Sequence, residues 1–154
     1  MPDLELKIHP PIVMLLCAVL AWGMAQMTPS LSFHLANLQW ALFLLLVASG
    51  VAIAISAVLR FHRAETTIHP TNPNETARLV TSGIYRFTRN PMYLGLLLLL
   101  SGWNMMLGNL ASLISLVAFV TYINRFQILP EERILKAKFG AEYETFCHKV
   151  RRWI

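Results

Sequence analysis

Residues 91–129 read PMYLGLLLLLSGWNMMLGNLASLISLVAFVTYINRFQIL, two long apolar runs with only Gly108 and Asn109 between them. Each run is long enough to cross a hydrocarbon core of about 30 Å as a helix, which takes roughly 17 to 25 residues. So short a connection forces the two helices into an antiparallel hairpin. The open end of this hairpin then carries the residues that precede Pro91 and those that follow Leu129.

The composition indicates a membrane protein. Hydrophobic residues make up 56% of the 154 residues and charged residues only 14%, whereas a soluble domain is about a quarter charged. The apolar residues come in blocks rather than in alternation, which is typical of membrane helices. We predict an all-α, polytopic membrane protein with a single membrane domain over residues 1–154. Its four transmembrane helices are expected at 11–27, 38–59, 91–107 and 110–129.

The basic residues lie on one side of the predicted membrane. All 13 Lys and Arg residues lie before the first span, between the second and third, or at and after the end of the fourth. The positive-inside rule therefore predicts two cytoplasmic termini, and we expect a bacterial inner membrane. Because topology alone explains this asymmetry, the net charge of +5 does not argue for nucleic acid, and we expect no such partner.

A cationic segment leads into the third span. Asn90 followed by Pro91 indicates a helix start, because Asn caps free amides and proline at the first helical position loses no hydrogen bond. This helix start, with Arg89 beside it, suits a carboxylate or a phosphate. The alternative is that Arg89 only anchors the helix to lipid phosphates.

Three nearby residues have two interpretations each. Gly95 allows close approach either by another backbone or by a flat ligand, and a lone glycine in a membrane helix is most often a packing contact. Tyr85 and Tyr93 are able to hydrogen-bond a ligand, yet tyrosine is also routine at membrane interfaces.

Two adjacent carboxylates follow the fourth span. Glu131 and Glu132 repel each other unless they pair with an arginine such as Arg89 or hold a cationic or polyhydroxyl ligand. Pro130 cannot donate to the carbonyl of Phe126, so we predict a kink that aims the pair into the mouth of the hairpin. Charged clusters beside a membrane are costly unless they bind something. We therefore predict a polar pocket where the arginine and the two glutamates meet at the cytoplasmic surface.

The C-terminal segment, residues 131–154, is expected to form an amphipathic helix. It would lie along the membrane surface or cover the pocket, and Gly140 is a candidate bend. Its apolar face is predicted from spacings of three and four residues: Leu135, Phe139, Tyr143, Phe146, Val150 and Trp153.

The remaining polar residues do not indicate a metal site. His62 and His69 lie in the loop between spans two and three and do not form an i, i+4 pair, and the chain contains no Cys-x-x-Cys. Asn104, in the third span, is expected to bond a neighbouring helix rather than a substrate. We expect no metal cofactor.

Taken together, these motifs resemble those of the integral-membrane methyltransferases, which include isoprenylcysteine carboxyl methyltransferase and the phospholipid N-methyltransferases. Residues 89–95, RNPMYLG, resemble the family's Arg-His/Asn-Pro-x-Tyr-x-Gly motif, and Glu131-Glu132 its Glu-Glu motif. The resemblance covers residues 60–154, so we separate a methyltransferase-like catalytic part, 60–154, from an N-terminal two-span part, 1–59. Residues 139–143 resemble the segment that follows the Glu-Glu motif, and two upstream segments, 66–70 and 79–85, look like bacterial members.

The resemblance implies S-adenosylmethionine as methyl donor and S-adenosylhomocysteine as product, bound at the cytoplasmic end of the hairpin without a Rossmann sheet. The carboxylate of the donor suits Arg89 and the helix start, its ammonium and ribose hydroxyls suit the glutamates, and its adenine suits a tyrosine and glycine surface. By this resemblance the catalytic residues are Arg89 and Glu132. The residues implied in cofactor binding are Tyr85, Arg89, Asn90, Pro91, Tyr93, Leu94, Gly95, Glu131 and Glu132.

The methyl acceptor is expected to be lipophilic and to enter from the bilayer. An isoprenylcysteine-type carboxylate, a phospholipid amine and a lipophilic thiol all suit an apolar entry with a polar mouth. Two other classes of function stay open: a non-catalytic scaffold that binds anionic lipids through its basic loops, and a membrane reductase, which would need an insertion for a dinucleotide. The sequence leaves the oligomeric state open. In the scaffold, helices would assemble through the small residues of the second span: Ser49, Gly50, Ala52, Ala54 and Ser56.

Overall fold

The structure, a computed structural model, describes residues 5–63 and 79–154, apart from the side chains of residues 61–63. The predictions about His62, His69 and the 66–70 segment therefore lie outside the described residues. Every regular element in the described part is helical, which confirms the all-α prediction. The helices are α1 Pro10–Met27, α2 Asn37–Arg63, α3 Pro91–Leu107, α4 Ile114–Ile123, α5 Leu129–Phe139 and α6 Ala141–Lys149.

Within the described residues, three helical stretches are long and apolar enough to cross a membrane: Pro10–Met27, Asn37–Arg60 and Ala111–Phe139. α3 is apolar and has 17 residues, the lower limit of the roughly 17 to 25 that a span requires. Large apolar side chains on α1 and α2 remain exposed in the isolated chain, for example Val19 at 66% and Leu45 at 62%. Lipid is the natural cover for such surfaces, and the chain is an integral membrane protein.

α2 and α3 cross at two glycines. An ideal Cβ on Gly50 would lie 2.8 Å from the carbonyl oxygen of Gly95, and one on Gly95 would lie 2.9 Å from the carbonyl oxygen of Gly50. The side chain of Ala54 lies at the same crossing. The two backbones therefore approach as closely as small residues in membrane helices allow.

The hairpin of α3 and α4 turns at Gly108, which adopts the left-handed conformation that glycine accepts most easily (φ +56°). Asn104 of α3 donates to the hydroxyl of Ser115 in α4 (3.0 Å), which confirms that it bonds a neighbouring helix. α1 packs against both arms of the hairpin. The resulting core consists of Val13, Cys17, Tyr93, Leu100, Phe119, Ile123 and Ile128.

The end of the fourth span differs from the prediction. We expected the span to end at Leu129, with a separate amphipathic helix after it, but the helical path runs on to Phe139. The physical reason lies before Pro130, where Asn124–Ile128 form a π-helical turn. The carbonyl of Phe126, which proline cannot satisfy, accepts instead from the backbone N–H of Leu6 (3.0 Å).

The predicted bend at Gly140 is confirmed. This glycine has φ +48° and separates α5 from α6, so that the two helices are not continuous. The apolar face predicted for the C-terminal segment is also largely confirmed, because its side chains pack into one cluster beside the start of α3. That cluster contains Ala57, Val80, Tyr85, Tyr143, Phe146 and Val150, with Leu135 and Phe139 packed against it.

Candidate active site

The start of α3 places Arg89 and Asn90 at the open end of the hairpin. Pro91 occupies the first helical turn, as predicted, but in the described part of the chain the Asn90 side chain makes no capping hydrogen bond to α3. The prediction that Asn90 caps the helix is therefore wrong. Its amide instead donates to the carbonyl oxygen of Arg152 (2.9 Å), and the first-turn amides of α3 keep no side-chain cap.

Glu132 joins the two ends of the hairpin. Its Oε1 lies 3.2 Å from Nη2 of Arg89, although the two residues lie far apart in the sequence. Both side chains are largely buried, with 14% of Arg89 and 19% of Glu132 exposed. The predicted neighbourhood of the arginine and the twin acids is thus present in the structure.

A second arginine holds the same carboxylate. Arg152 donates through Nε to Oε1 of Glu132 (3.0 Å) and through Nη2 to Oε2 (2.8 Å). This is a two-point guanidinium–carboxylate contact, which is strong and directional. The hydrogen bond to Glu132 raises the pKa of Arg152 above its ordinary value.

Glu131 has a different partner. Its carboxyl group accepts from the hydroxyl of Tyr93 in α3, so Glu131, like Glu132, connects the two ends of the hairpin. Tyr85 lies in the neighbouring apolar cluster. Burial raises the pKa of the Tyr85 hydroxyl well above its usual range, and the nearby charge of Glu131 raises it further. Tyr85 therefore stays neutral at physiological pH.

The last residues of the chain, the C-terminal tail (residues 150–154), lie across this site. The backbone N–H of Arg89 donates to the carbonyl oxygen of Arg151 (3.1 Å), and the hydroxyl of Thr88 donates to that of Arg152 (3.3 Å). Farther on, the indole N–H of Trp153 donates to Oδ1 of Asn124 (3.1 Å). The C-terminal segment thus covers the open end of the hairpin, one of the two positions that we expected for it.

The sequence motifs did not reveal two of the contacts. Arg152 lies in the basic C-terminal segment, and no motif distinguishes it from Arg151. Cys147, whose sulfur accepts from Nη1 of Arg89, is not part of a motif either. The apolar spacing of Phe146 and Val150, which sets the face of the segment that packs inward, was the one available signal.

The charged cluster, defined as Arg89, Glu131, Glu132 and Arg152, contains two guanidinium and two carboxyl groups. The Nε of Arg89 is buried and has no hydrogen-bond partner among the described residues. Within the same described ranges, no group of three or more His, Cys, Asp or Glu side chains is arranged to hold a metal. The charged cluster therefore retains at least one donor for a ligand.

The structure does not bring every expected residue to the charged cluster. Tyr93, Leu94 and Gly95 are all buried in α3, but the open face of Gly95 is filled by α2 at Gly50. Of the two interpretations of Gly95, the structure shows close approach by another backbone. Pro91 is buried as well and fixes the start of the helix.

Comparison with known proteins connects this site to a family. A family model described as phospholipid methyltransferase matches residues 38–142. An uncharacterized protein of Haemophilus influenzae is 48% identical over 63 residues, which is 41% of this chain and 100% of that protein. A probable protein-S-isoprenylcysteine O-methyltransferase of Oryza sativa subsp. indica is 36% identical over 110 residues, 70% of this chain and 56% of the relative.

A protein-S-isoprenylcysteine O-methyltransferase of Schizosaccharomyces pombe is 35% identical over 103 residues, 66% of this chain and 43% of the relative. The chain thus spans about half the length of the methyltransferases that it matches. No solved structure shows a significant match to it. Because the family match covers well over half of the chain and contains the start of α3 and both glutamates, the chain belongs to the phospholipid methyltransferase family.

Proposed function

We propose that this protein transfers a methyl group from S-adenosylmethionine to a lipophilic acceptor at the cytoplasmic face of the membrane. The observation that carries the proposal is the charged cluster at the open end of an apolar hairpin, with Arg89 and Glu132 in contact across it. A polar site beside long lipid-facing helices suits a reaction between a charged, water-soluble donor and a membrane-soluble acceptor.

The residues present fit the donor. The unpartnered Nε of Arg89 and the uncapped first turn of α3 suit its carboxylate. Glu131 and Glu132 suit its ammonium group and ribose hydroxyls, because carboxylates accept hydrogen bonds and attract cations. The buried rings of Tyr85 and Tyr93 provide flat apolar surface for adenine. Asn90, Pro91, Leu94 and Gly95 are proposed to shape the same wall of the site.

When bound, S-adenosylmethionine supplies a methyl group on a sulfonium, which is already activated for transfer. The protein then has to hold two partners in line and exclude water. Arg89 and Glu132 are proposed as the catalytic residues because they fix the position of the donor from opposite arms of the hairpin. A carboxylate acceptor needs no base, whereas an amine acceptor must release a proton, which a glutamate carboxylate is placed to accept.

For the acceptor we propose an isoprenylcysteine-type carboxylate first. The relatives named protein-S-isoprenylcysteine O-methyltransferases favour this choice. A phospholipid amine is the second candidate, favoured by the description of the family that matches residues 38–142, and a lipophilic thiol is a third. The acceptor is proposed to enter from the bilayer between helices.

The location of the site follows from the proposed orientation. We propose a bacterial inner membrane with both termini cytoplasmic, because all the basic residues lie on one side of the predicted spans. We assign the catalytic part to residues 60–154 and a supporting role to residues 1–59. The close crossing of α2 with α3 at Gly50 is the main contact through which the N-terminal part would support the site.

Calorimetric titration of S-adenosylhomocysteine into detergent-purified protein tests the donor site. Binding is expected in the wild type and is expected to be lost in Arg89→Ala and Glu132→Ala. Two exposed residues of the same types, Arg86 and Glu142, provide matched controls, and their alanine variants should bind like the wild type. Folded wild-type protein that does not bind the product would leave the scaffold interpretation, and binding of a nicotinamide dinucleotide instead would favour a reductase.

Incubation with labelled S-adenosylmethionine and a lipid extract tests the acceptor. Membranes that contain the wild type are expected to label a lipophilic product that Glu132→Ala membranes do not label. A base-labile methyl ester would identify a carboxylate acceptor, and a stable methylated headgroup would identify a phospholipid amine. Labelling that is equal in both membranes would refute methyl transfer by this site.

A further inference from the structure

The C-terminal tail brings a further arginine into the site. We propose that Arg152 is a positioning residue that holds the Glu132 carboxylate in place for the methyl donor. The proposal rests on the proposed function and deepens it, because it adds to the donor site a residue from the end of the chain that is absent from the Arg-Asn-Pro and Glu-Glu motifs.

The contacts of Glu132 carry the inference. Arg152 reaches both of its oxygens, at 3.0 and 2.8 Å, whereas Arg89 reaches one, at 3.2 Å. A planar guanidinium that bonds both oxygens fixes the plane of the carboxylate, which one contact does not. Arg152 therefore determines the orientation of Glu132 more than Arg89 does.

The tail is itself held to the site on both sides of this side chain. The carbonyl oxygen of Arg152 accepts from the Asn90 amide (2.9 Å) and from the Thr88 hydroxyl (3.3 Å). Trp153, the next residue, bonds Asn124 (3.1 Å). The guanidinium therefore projects from an anchored backbone, which is the condition for positioning another group.

The acceptor positions of Glu132 leave room for the donor beside both arginines. A carboxylate has about four acceptor positions, and three hydrogen bonds or ion-pair contacts from the two arginines leave one for the donor on Oε2. Arg152 and the donor are thus able to bind Glu132 together.

An inhibitory role of the C-terminal tail would predict the opposite change in affinity. If the tail were an autoinhibitory latch, Arg152 would occupy the place of the cationic donor, and its removal would tighten binding. If Arg152 positions Glu132, its removal weakens binding. The direction of the change in affinity therefore separates the two roles.

The test is calorimetric titration of S-adenosylhomocysteine into the wild type, Arg152→Ala and Arg152→Lys in the same detergent. Arg152→Ala is expected to bind at least about tenfold more weakly, a change that corresponds to about 1.4 kcal/mol. Arg152→Lys, which keeps the charge but not the two-point geometry, should bind with intermediate affinity. If the alanine variant does not fold, the lysine variant replaces it in the test. The matched control is Arg151→Ala, which removes an exposed side chain and should leave affinity unchanged.

A double-mutant cycle gives a readout that loss of structure alone would not produce. If Arg152 acts through Glu132, adding Arg152→Ala to Glu132→Gln should weaken binding by much less than it does in the wild type. Unchanged or tighter binding by Arg152→Ala, or full additivity in the cycle, would overturn the inference while leaving the donor site intact. A wild type that does not bind S-adenosylhomocysteine would instead overturn the proposed function, and this inference with it.

Discussion

The crossing of α2 and α3 predicts the effect of enlarging either glycine. Gly95→Ala and Gly50→Ala are expected to destabilise the protein to a similar extent and to weaken S-adenosylhomocysteine binding in parallel. Both changes act on the same contact, since each new Cβ would meet the carbonyl oxygen of the other residue. Arg89 lies two residues before the start of α3, so a displaced helix also displaces the site.

The distances set the magnitude. The new Cβ atoms would lie 2.9 and 2.8 Å from those oxygens, whereas ordinary van der Waals contact begins at 3.4 Å. The atom nearest to each new Cβ is a backbone oxygen, which cannot rotate away, so the helices must separate by about half an ångström. Overpacking of this kind typically costs about 1–3 kcal/mol.

A third glycine serves as the control for the cost of overpacking. Gly23 lies in α1, and its ideal Cβ meets no described atom within 4 Å. Alanine in place of a helical glycine gains about 0.5–1 kcal/mol at all three positions. The difference in unfolding free energy between Gly95→Ala and Gly23→Ala therefore measures the overpacking alone, and we expect about 1–3 kcal/mol.

Reversible denaturant unfolding in micelles, together with calorimetric titration, provides the measurement. Loss of binding by Gly95→Ala without loss of stability, with neither changed by Gly50→Ala, would contradict this prediction. That pattern would mean that Gly95 contacts the ligand directly rather than α2.

Three further predictions follow from individual side chains. Tyr93→Phe removes the hydroxyl that donates to Glu131 and should weaken S-adenosylhomocysteine binding by up to about tenfold, since a hydrogen bond contributes about 0.5–1.5 kcal/mol. Tyr122→Phe, whose hydroxyl has no partner among the described residues, is the calorimetric control. Asn104→Leu removes the buried hydrogen bond between α3 and α4 and should lower the unfolding free energy, measured in micelles, by about 0.6–1.7 kcal/mol. An unchanged unfolding free energy would show that this hydrogen bond does not stabilise the fold. Tyr85 has a raised pKa in the folded state, so its contribution to stability is complete below its ordinary pKa of 10.0 and is lost as the pH rises above it. Between pH 9 and 11, the unfolding free energy of Tyr85→Phe should therefore fall by less than that of the wild type. An identical pH dependence of the unfolding free energy in the two proteins would contradict this.

The meeting of Arg89 with Glu132 could be predicted from the sequence because it follows from chain geometry. Two apolar runs joined at Gly108 and Asn109 have no arrangement other than an antiparallel hairpin, so their outer ends must be neighbours. The bend at Gly140 was predictable for a similar reason, because glycine adopts a positive φ with little strain. Local steric rules of this kind do not depend on the rest of the fold.

Features that depend on distant partners could not be predicted. Asn90 has the residue type of a helix cap, yet the carbonyl of Arg152, which arrives from the far end of the chain, accepts its amide. Pro130 creates an unsatisfied carbonyl at Phe126, and nothing local indicates that the N–H of Leu6 satisfies it. In both cases the sequence identifies a group that needs a partner, while the identity of that partner is decided by tertiary packing.

The contacts of the N-terminal segment suggest why the site tolerates a π-helical turn next to it. Such turns leave backbone groups without their usual partners and are often found beside functional sites. Here the amide of Gln127 donates to the carbonyl oxygen of Ile8 (2.7 Å), next to the contact of Leu6 with Phe126. The segment before α1 therefore holds in place the turn that precedes α5, and the first turn of α5 carries Glu131 and Glu132. Because Leu6 and Ile8 lie outside the span matched by the family, the N-terminal part of the chain contributes to the geometry of the site without contributing a motif.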